Sequence, residues 1–146
     1  MRTFLIALLL SLPAIGAKAA LFITNNTNCS VTVTIYAHDQ NHSVCGLESG
    51  SLQLAAGESA AFNNVATLNT TLPGWQNGQM ATTAGGTAVW GWDGAFVTNG
   101  STLWAQIGRT GSCFPIPVLA TPNACGTSSV TTAWHVVGGN AFLDII

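Results

Sequence analysis

Thr87-Ala88-Val89-Trp90-Gly91-Trp92-Asp93-Gly94-Ala95-Phe96-Val97-Thr98-Asn99-Gly100-Ser101-Thr102-Leu103-Trp104-Ala105-Gln106-Ile107-Gly108 is the stretch that decides the fold class. Strand-forming residues surround two Asx-Gly pairs, Asp93-Gly94 and Asn99-Gly100. Both residues of such a pair accept positive φ, which the tight hairpin turn requires. The stretch therefore predicts a three-stranded meander. With two-residue turns, Trp92 lies opposite Ala95 and Trp90 opposite Val97. Across the second turn Val97 lies opposite Thr102, and Ala95 opposite Trp104. Residues opposite one another share a sheet face. One face then carries Ala88, Trp90, Trp92, Ala95, Val97, Thr102, Trp104 and Gln106. The other carries Val89, Gly91, Phe96, Leu103, Ala105 and Ile107.

The second set is aliphatic and needs no polar partner, so it is expected inward. The first holds three indoles beside Thr102 and Gln106, so it is expected outward as a flat aromatic shelf. Trp75, in the polar loop Pro73 to Gly78, is expected to extend it. Sugars stack their C–H faces on such shelves, and large exposed apolar patches mark binding sites. The candidate ligand-binding residues are thus Trp90, Trp92, Trp104, Trp75, Gln106 and Thr102. The competing assignment is that these tryptophans fill the core, since each buries a large apolar area. Trp134, alternating with Val136, is expected in the core.

Outward from this stretch the same period of two recurs. Val31, Val33, Ile35 and Ala37 alternate with Ser30, Thr32, Thr34 and Tyr36, a half-buried antiparallel strand. Leu21 and Ile23 begin a strand before it. Leu52 and Leu54 belong to the next, and Phe62 points inward after the Gly57-Glu58 turn. Thr67 to Gly78 reads as irregular. The prolines at 115, 117 and 122 predict an extended surface loop from Cys113 to Cys125. Val130 to Ile146 reads as a hairpin turning at Gly138-Gly139. The expected fold is an all-β, antiparallel β-sandwich or a partly closed barrel, of about eight to ten short strands. The opening from Leu21-Phe22-Ile23-Thr24 through Cys29 and Val31 to Gly57-Glu58-Ser59 resembles the first strands of thaumatin-like sandwiches. The resemblance covers under a third of the chain. That family's dense cysteine framework and acidic cleft residues are absent, and no residue role is carried over.

The first residues read as a cleaved secretory signal. Met1-Arg2-Thr3 is a basic start, Phe4 to Ile15 an apolar run, and Ala17-Lys18-Ala19 a small-x-small site. Cleavage is expected after about Ala19, giving a signal peptide over 1–19 and one all-β domain over 20–146, secreted or periplasmic. No later run is long enough to span a bilayer. The whole sequence has only 3 Lys and Arg. Arg109 alone follows the signal, so a nucleic-acid binder is excluded on charge. A polybasic membrane patch is excluded for the same reason. Cys29, Cys45, Cys113 and Cys125 all lie in the exported part and read as disulfides. Of three pairings, Cys29–Cys45 with Cys113–Cys125 closes short local loops and is favoured.

Chemistry-bearing residues are few. His38 and His42, around Asp39, are a weak metal candidate that needs a helical turn where none is expected. No other metal site and no cofactor motif is present. His135 and Asp144 are expected as diagonal neighbours on the last hairpin, without a nucleophile elbow. Asn-x-Ser/Thr triplets start at Asn25, Asn28, Asn41, Asn69 and Asn99. The expectation is a secreted, non-catalytic domain whose partner is a polysaccharide or glycan. The alternative is a structural subunit that self-associates through uncharged terminal strands. A small hydrolase or inhibitor comes third.

Overall fold

A computed structural model of the chain describes residues 19–146. The expected signal segment lies outside the described residues, apart from Ala19. Ten strands are present among the described residues: β1 (Leu21–Asn25), β2 (Val31–His38), β3 (Leu47–Glu48), β4 (Leu52–Leu54), β5 (Ser59–Phe62), β6 (Gly91–Thr98), β7 (Trp104–Gly108), β8 (Val118–Cys125), β9 (Ser128–Val137) and β10 (Asn140–Ile145). Only short 3-10 turns interrupt them, at Val65–Asn69, Gln76–Gly78 and Gly86–Ala88. No helix among the described residues is long and apolar enough to cross a membrane.

The strands form two sheets. The first runs β5-β1-β10-β9-β8, and the second runs β3-β2-β6-β7, with β4 also paired to β2. All pairings are antiparallel except β1 with β10. The sheets pack face to face as a β-sandwich. Alternation sets the two faces of each strand, as in β2, where Val31, Val33, Ile35 and Ala37 are buried and the residues between them are half exposed. Leu21, Ile23, Leu143 and Ile145 meet them from the first sheet, all fully buried. Each such side chain stabilises the fold by about 1.5–3 kcal/mol relative to exposure. The last hairpin turns through Gly138 and Gly139, with φ of 58° and 85°. It pairs Val137 with Asn140, the register expected from a two-residue turn.

The central stretch departs from its expected form. Asp93-Gly94 is not a turn: both residues lie inside the continuous strand β6. Tyr36 pairs with Gly94 and Ala37 with Trp92, so Asp93 is the extra residue of a bulge. Gly94 faces Gly108 across β6 and β7. A Cβ on Gly94 would lie 2.5 Å from the Ile107 carbonyl oxygen, so the close approach of two backbones demands glycine there. Asn99-Gly100 does turn the chain, but Thr98 pairs with Trp104, leaving the five-residue loop 99–103. Asn99 organises that loop: its Oδ1 accepts N–H bonds from Ser101 (3.1 Å), Thr102 (2.9 Å) and Leu103 (2.8 Å).

Two further expectations are corrected. The disulfides are Cys29–Cys125 and Cys45–Cys113, not the local pairs. Each joins segments distant in sequence that the sandwich brings together, which loop length alone cannot reveal. Two disulfides fit an oxidising compartment. The stretch 118–125 is a strand, not a loop. It tolerates Pro122 because β8 is an edge strand whose pairing with β9 is interrupted between Thr121 and Cys125. Of the Asn-x-Ser/Thr triplets, that at Asn25 is sealed in the fold. Its side chain is fully buried and donates to the carbonyls of Cys29, Leu54 and Ala55.

The paired glycines give the first test. Gly94→Ala forces β6 away from β7 and is expected to destabilise the protein by about 1–3 kcal/mol. The midpoint of urea unfolding checks this. An unchanged midpoint would show that the strands are not this close.

Candidate functional site

The register of β7 separates the tryptophans. Val97 pairs with Ala105 and Ala95 with Ile107, a shift of three residues from the two-residue-turn register. An odd shift exchanges the faces of a strand. Ala95, Val97, Ala105 and Ile107 therefore point inward and are fully buried. Trp104 shares the opposite face with Phe96 and Thr98, and is 67% exposed.

Trp90, Trp92 and Trp75 are not on an exposed shelf. They are buried at 3%, 4% and 9% exposure. The bulge at Asp93 keeps Trp92 on the same side as Ala95, facing the first sheet. Trp92 packs against Phe62 and Trp75, with ring centroids 6.3 Å away in both cases. The indole N–H of Trp92 donates to the Ala19 carbonyl (2.9 Å), and that of Trp75 to the Val65 carbonyl (3.0 Å). Trp90 Nε1 and Trp134 Nε1 are buried without a partner among the described residues. Trp134 is a core residue, as its alternation predicts.

The outer face of the second sheet is the aromatic surface the fold leaves open. Its rows follow from the pairings: Gln53, Thr32, Thr98 and Trp104 in one, Thr34, Phe96 and Gln106 in the next, then Glu48 and Tyr36 beside Gly94 and Gly108. Trp104 packs edge-on against Phe96, with centroids 4.5 Å apart and planes at 62°. At the other end the Phe114 ring meets Tyr36 edge-on at 5.0 Å. Trp104, opposite Thr98, and Tyr36, opposite Gly94, lie four residues apart along β6, a span of roughly 13 Å. Gln106 is exposed and makes no side-chain hydrogen bond among the described residues. Thr102 is exposed, but its hydroxyl is engaged by the Ala124 carbonyl at 2.6 Å. Trp104, Gln106 and the half-buried Phe96 thus come together, and Thr102 belongs to the loop.

A second cluster was missed entirely. The Asp93 side chain is fully buried and carries four close contacts. Arg109 Nε–H donates to its Oδ1 (2.8 Å), Arg109 Nη2 reaches the same oxygen (2.6 Å), His38 Nδ1 lies 2.8 Å away, and the Cys45 N–H donates to Oδ2 (2.7 Å). A carboxylate only accepts, so His38 Nδ1 carries the proton. The signal that marked it was present: Arg109 is the lone Lys or Arg after Lys18, and a lone cation needs an anion.

His38 and His42 serve different carboxylates. His42 Nδ1 lies 2.7 Å from Asp39 Oδ1, which also accepts the N–H groups of Asn41 and His42, while Asp39 Oδ2 accepts that of Thr82 (2.8 Å). Burial pushes the Asp39 carboxyl up, but the Thr82 N–H, the His42 ring and the neighbouring amides outweigh it and hold it below the ordinary aspartate value. No group of three or more His, Cys, Asp or Glu is placed to hold a metal among the described residues. His135 and Asp144 stand 3.6 Å apart, the histidine exposed and the aspartate half-buried. None of the three imidazoles bonds a serine or threonine hydroxyl among the described residues.

The chain matches no protein-family model, no curated protein and no solved structure.

Two tests follow from the buried carboxylates. Arg109→Ala leaves Asp93 with only His38 and one amide. Removing a partner from a fully buried pair costs about 3–5 kcal/mol, and Arg109 is a third exposed, so about 2–4 kcal/mol is expected in urea unfolding. Asp39 has a lowered folded-state pKa. Its contribution is therefore full above the unfolded value and lost as pH falls through the folded one. Asp39→Asn should be clearly less stable than the parent at pH 7, and the gap should close below the ordinary value of 3.8. A gap independent of pH would show that the carboxylate's charge is not what holds the loop.

Proposed function

We propose that the protein is an exported, non-catalytic binding domain that holds a polysaccharide or glycan on the outer face of its second sheet. Export follows from the signal segment, with cleavage after about Ala19, and the two disulfides suit a secreted or periplasmic address. The observation that carries the binding reading is Trp104, an indole 67% exposed at the start of β7, the edge strand of the second sheet. A large aromatic group left in water is a characteristic anchor for a partner with an apolar face. A pyranose ring offers such a face in its axial C–H groups, and its hydroxyls need neutral donors and acceptors. Gln106, Thr98, Thr34 and Thr32 supply those beside the ring, and no Lys or Arg lies among them. The roughly 13 Å between the Trp104 and Tyr36 ends suits a short oligosaccharide lying across the strands.

A second reading has its own observation. On the outer face of the first sheet, Phe22 stacks on Phe142 (5.1 Å), and Phe142 on His135 (5.1 Å). Aromatic rows on both outer faces suit a structural subunit that self-associates. Size-exclusion chromatography separates the two readings, since a strictly monomeric protein at high concentration counts against self-association.

Trp104→Ala should abolish pull-down by an insoluble polysaccharide or signal on a glycan array while changing stability by less than about 0.5 kcal/mol. Trp92→Ala should instead destabilise by about 3–5 kcal/mol. If Trp104→Ala binds as the parent does, the outer face is not the binding site.

A further inference from the structure

The Asp93 cluster does more than hold strands together: it forms one wall of a cleft. The cleft, about 450 Å³, opens where the two sheets meet at one end of the sandwich. His38, Gly91, Trp90 and Arg109 line it from the second sheet, with Val136 and Ala141 opposite. Its volume is that of a small-ligand site. We infer that this cleft binds a hydroxylated carboxylate, a sugar acid, with the carboxylate on Arg109, a hydroxyl on His38 Nε2, and the carbon skeleton against Trp90 and Val136.

Each element has its own support. Asp93 and the Thr110 carbonyl engage three of the guanidinium contacts of Arg109. The remaining N–H groups have no partner among the described residues, and the side chain is a third exposed. Arginine presents its donors in a planar fork that matches a carboxylate. Because Asp93 takes up His38 Nδ1, Nε2 is the ring nitrogen left to meet a hydroxyl, which can both donate and accept. Nε2 has no partner among the described residues. Gly91 keeps that edge open: a Cβ there would stand 3.3 Å from His38 Cε1 and 3.8 Å from Nε2. Gly91 has no positive φ to account for it. Trp90 contributes part of the cleft lining as a large, mostly buried ring against which a carbon skeleton can rest. A neutral sugar would leave Arg109 unanswered, and a simple carboxylate would leave His38 and Trp90 unused.

The export proposed above adds to the site. Ala19 forms part of the cleft wall and accepts the Trp92 N–H. Cleavage after Ala19 would remove that wall and free that donor, and would leave the α-ammonium of Ala20 at the same edge. This last point rests on the export reading; the side chains of the cleft do not. The site is also separate from the outer face, since Trp104 opens β7 and Arg109 follows its end.

The test is a titration of the exported protein with sodium D-glucuronate, followed by the indole N–H signals in NMR, with D-glucose and acetate as partial matches. Saturable movement of the Trp90 signal is expected with glucuronate, and at least about tenfold weaker response to either partial match. Arg109→Gln should abolish it. Because that variant loses stability, Val136→Asp is the second arm. Val136 is 56% exposed, so the fold tolerates the change. The added charge at the cleft lip should weaken glucuronate about fivefold or more beyond the effect of Val136→Asn, which removes the apolar contact without adding charge. Trp104→Ala should leave the affinity unchanged. The inference is overturned if glucuronate gives no saturable shift, if glucose matches it, or if Val136→Asp binds as tightly as the parent. Loss of glucuronate binding in Trp104→Ala would also overturn it while leaving the outer-face reading intact.

Discussion

The buried carboxylate of Asp93 is the constraint on which the second sheet depends. Burying a lone charge costs many kcal/mol, so the chain must answer it with donors. It does so from three separate segments: His38 at the end of β2, Arg109 just after β7, and the amide of Cys45 in the loop before β3. Removing any one leaves the others holding a charge with too few partners. The arrangement fixes the ends of three strands relative to one another. It also holds the segment whose Cys45 is bonded to Cys113, so the disulfide and the ion pair secure the same corner.

From that anchor the placement of every aromatic group in the sheet follows. Asp93 takes the bulge position, and the extra residue sends Trp92 and Ala95 to the same side of β6. Trp90 and Trp92 thereby join Phe62 and Trp75 in an aromatic end of the core, while Ala95 and Val97 meet Ala105 and Ile107 at its aliphatic end. Phe96 and Trp104 go outward together. Glycine at 94 and 108 allows β6 and β7 to close tightly beneath Phe114. A Cβ on Gly108 would lie 2.9 Å from the Phe114 carbonyl oxygen, so the loop and the strand pair depend on the same two small residues.

What could be read along the chain was whatever depends on neighbours in sequence. The alternation of β2, the inward Phe62, the Gly138-Gly139 turn and the His135–Asp144 proximity all follow from local pattern. The failures have one cause. Asp93-Gly94 is a strong local turn signal, but its carboxylate is claimed by residues 55 positions before it and 16 after it. Long-range charge pairing overrode short-range turn propensity. The cysteines repeat the lesson, since their partners lie 96 and 68 residues apart. The identity of the exposed tryptophan turned on a single loop length. A two-residue turn at Asn99-Gly100 would put Trp104 with Trp90 and Trp92. The five-residue loop, held by Asn99 through three amides, puts it on the other side.

The scarcity of charge acquires a physical meaning in this arrangement. With one Lys or Arg after Lys18, the described chain cannot place such a cation both in its anchor and on an open face. It places that cation in the anchor, at the mouth of a cleft where Asp93 neutralises it in part and leaves the remaining donors to an incoming group. The outer face of the second sheet is left to threonine, glutamine, Glu48 and aromatic rings, groups suited to stacking and hydrogen bonds. Interactions of that kind are barely screened by salt, whereas a contact with Arg109, which is a third exposed, is weakened by it. A face without cations and a cleft that holds one are therefore not two independent accidents of composition. Both result from committing the only available arginine to the carboxylate that sets the register of the sheet.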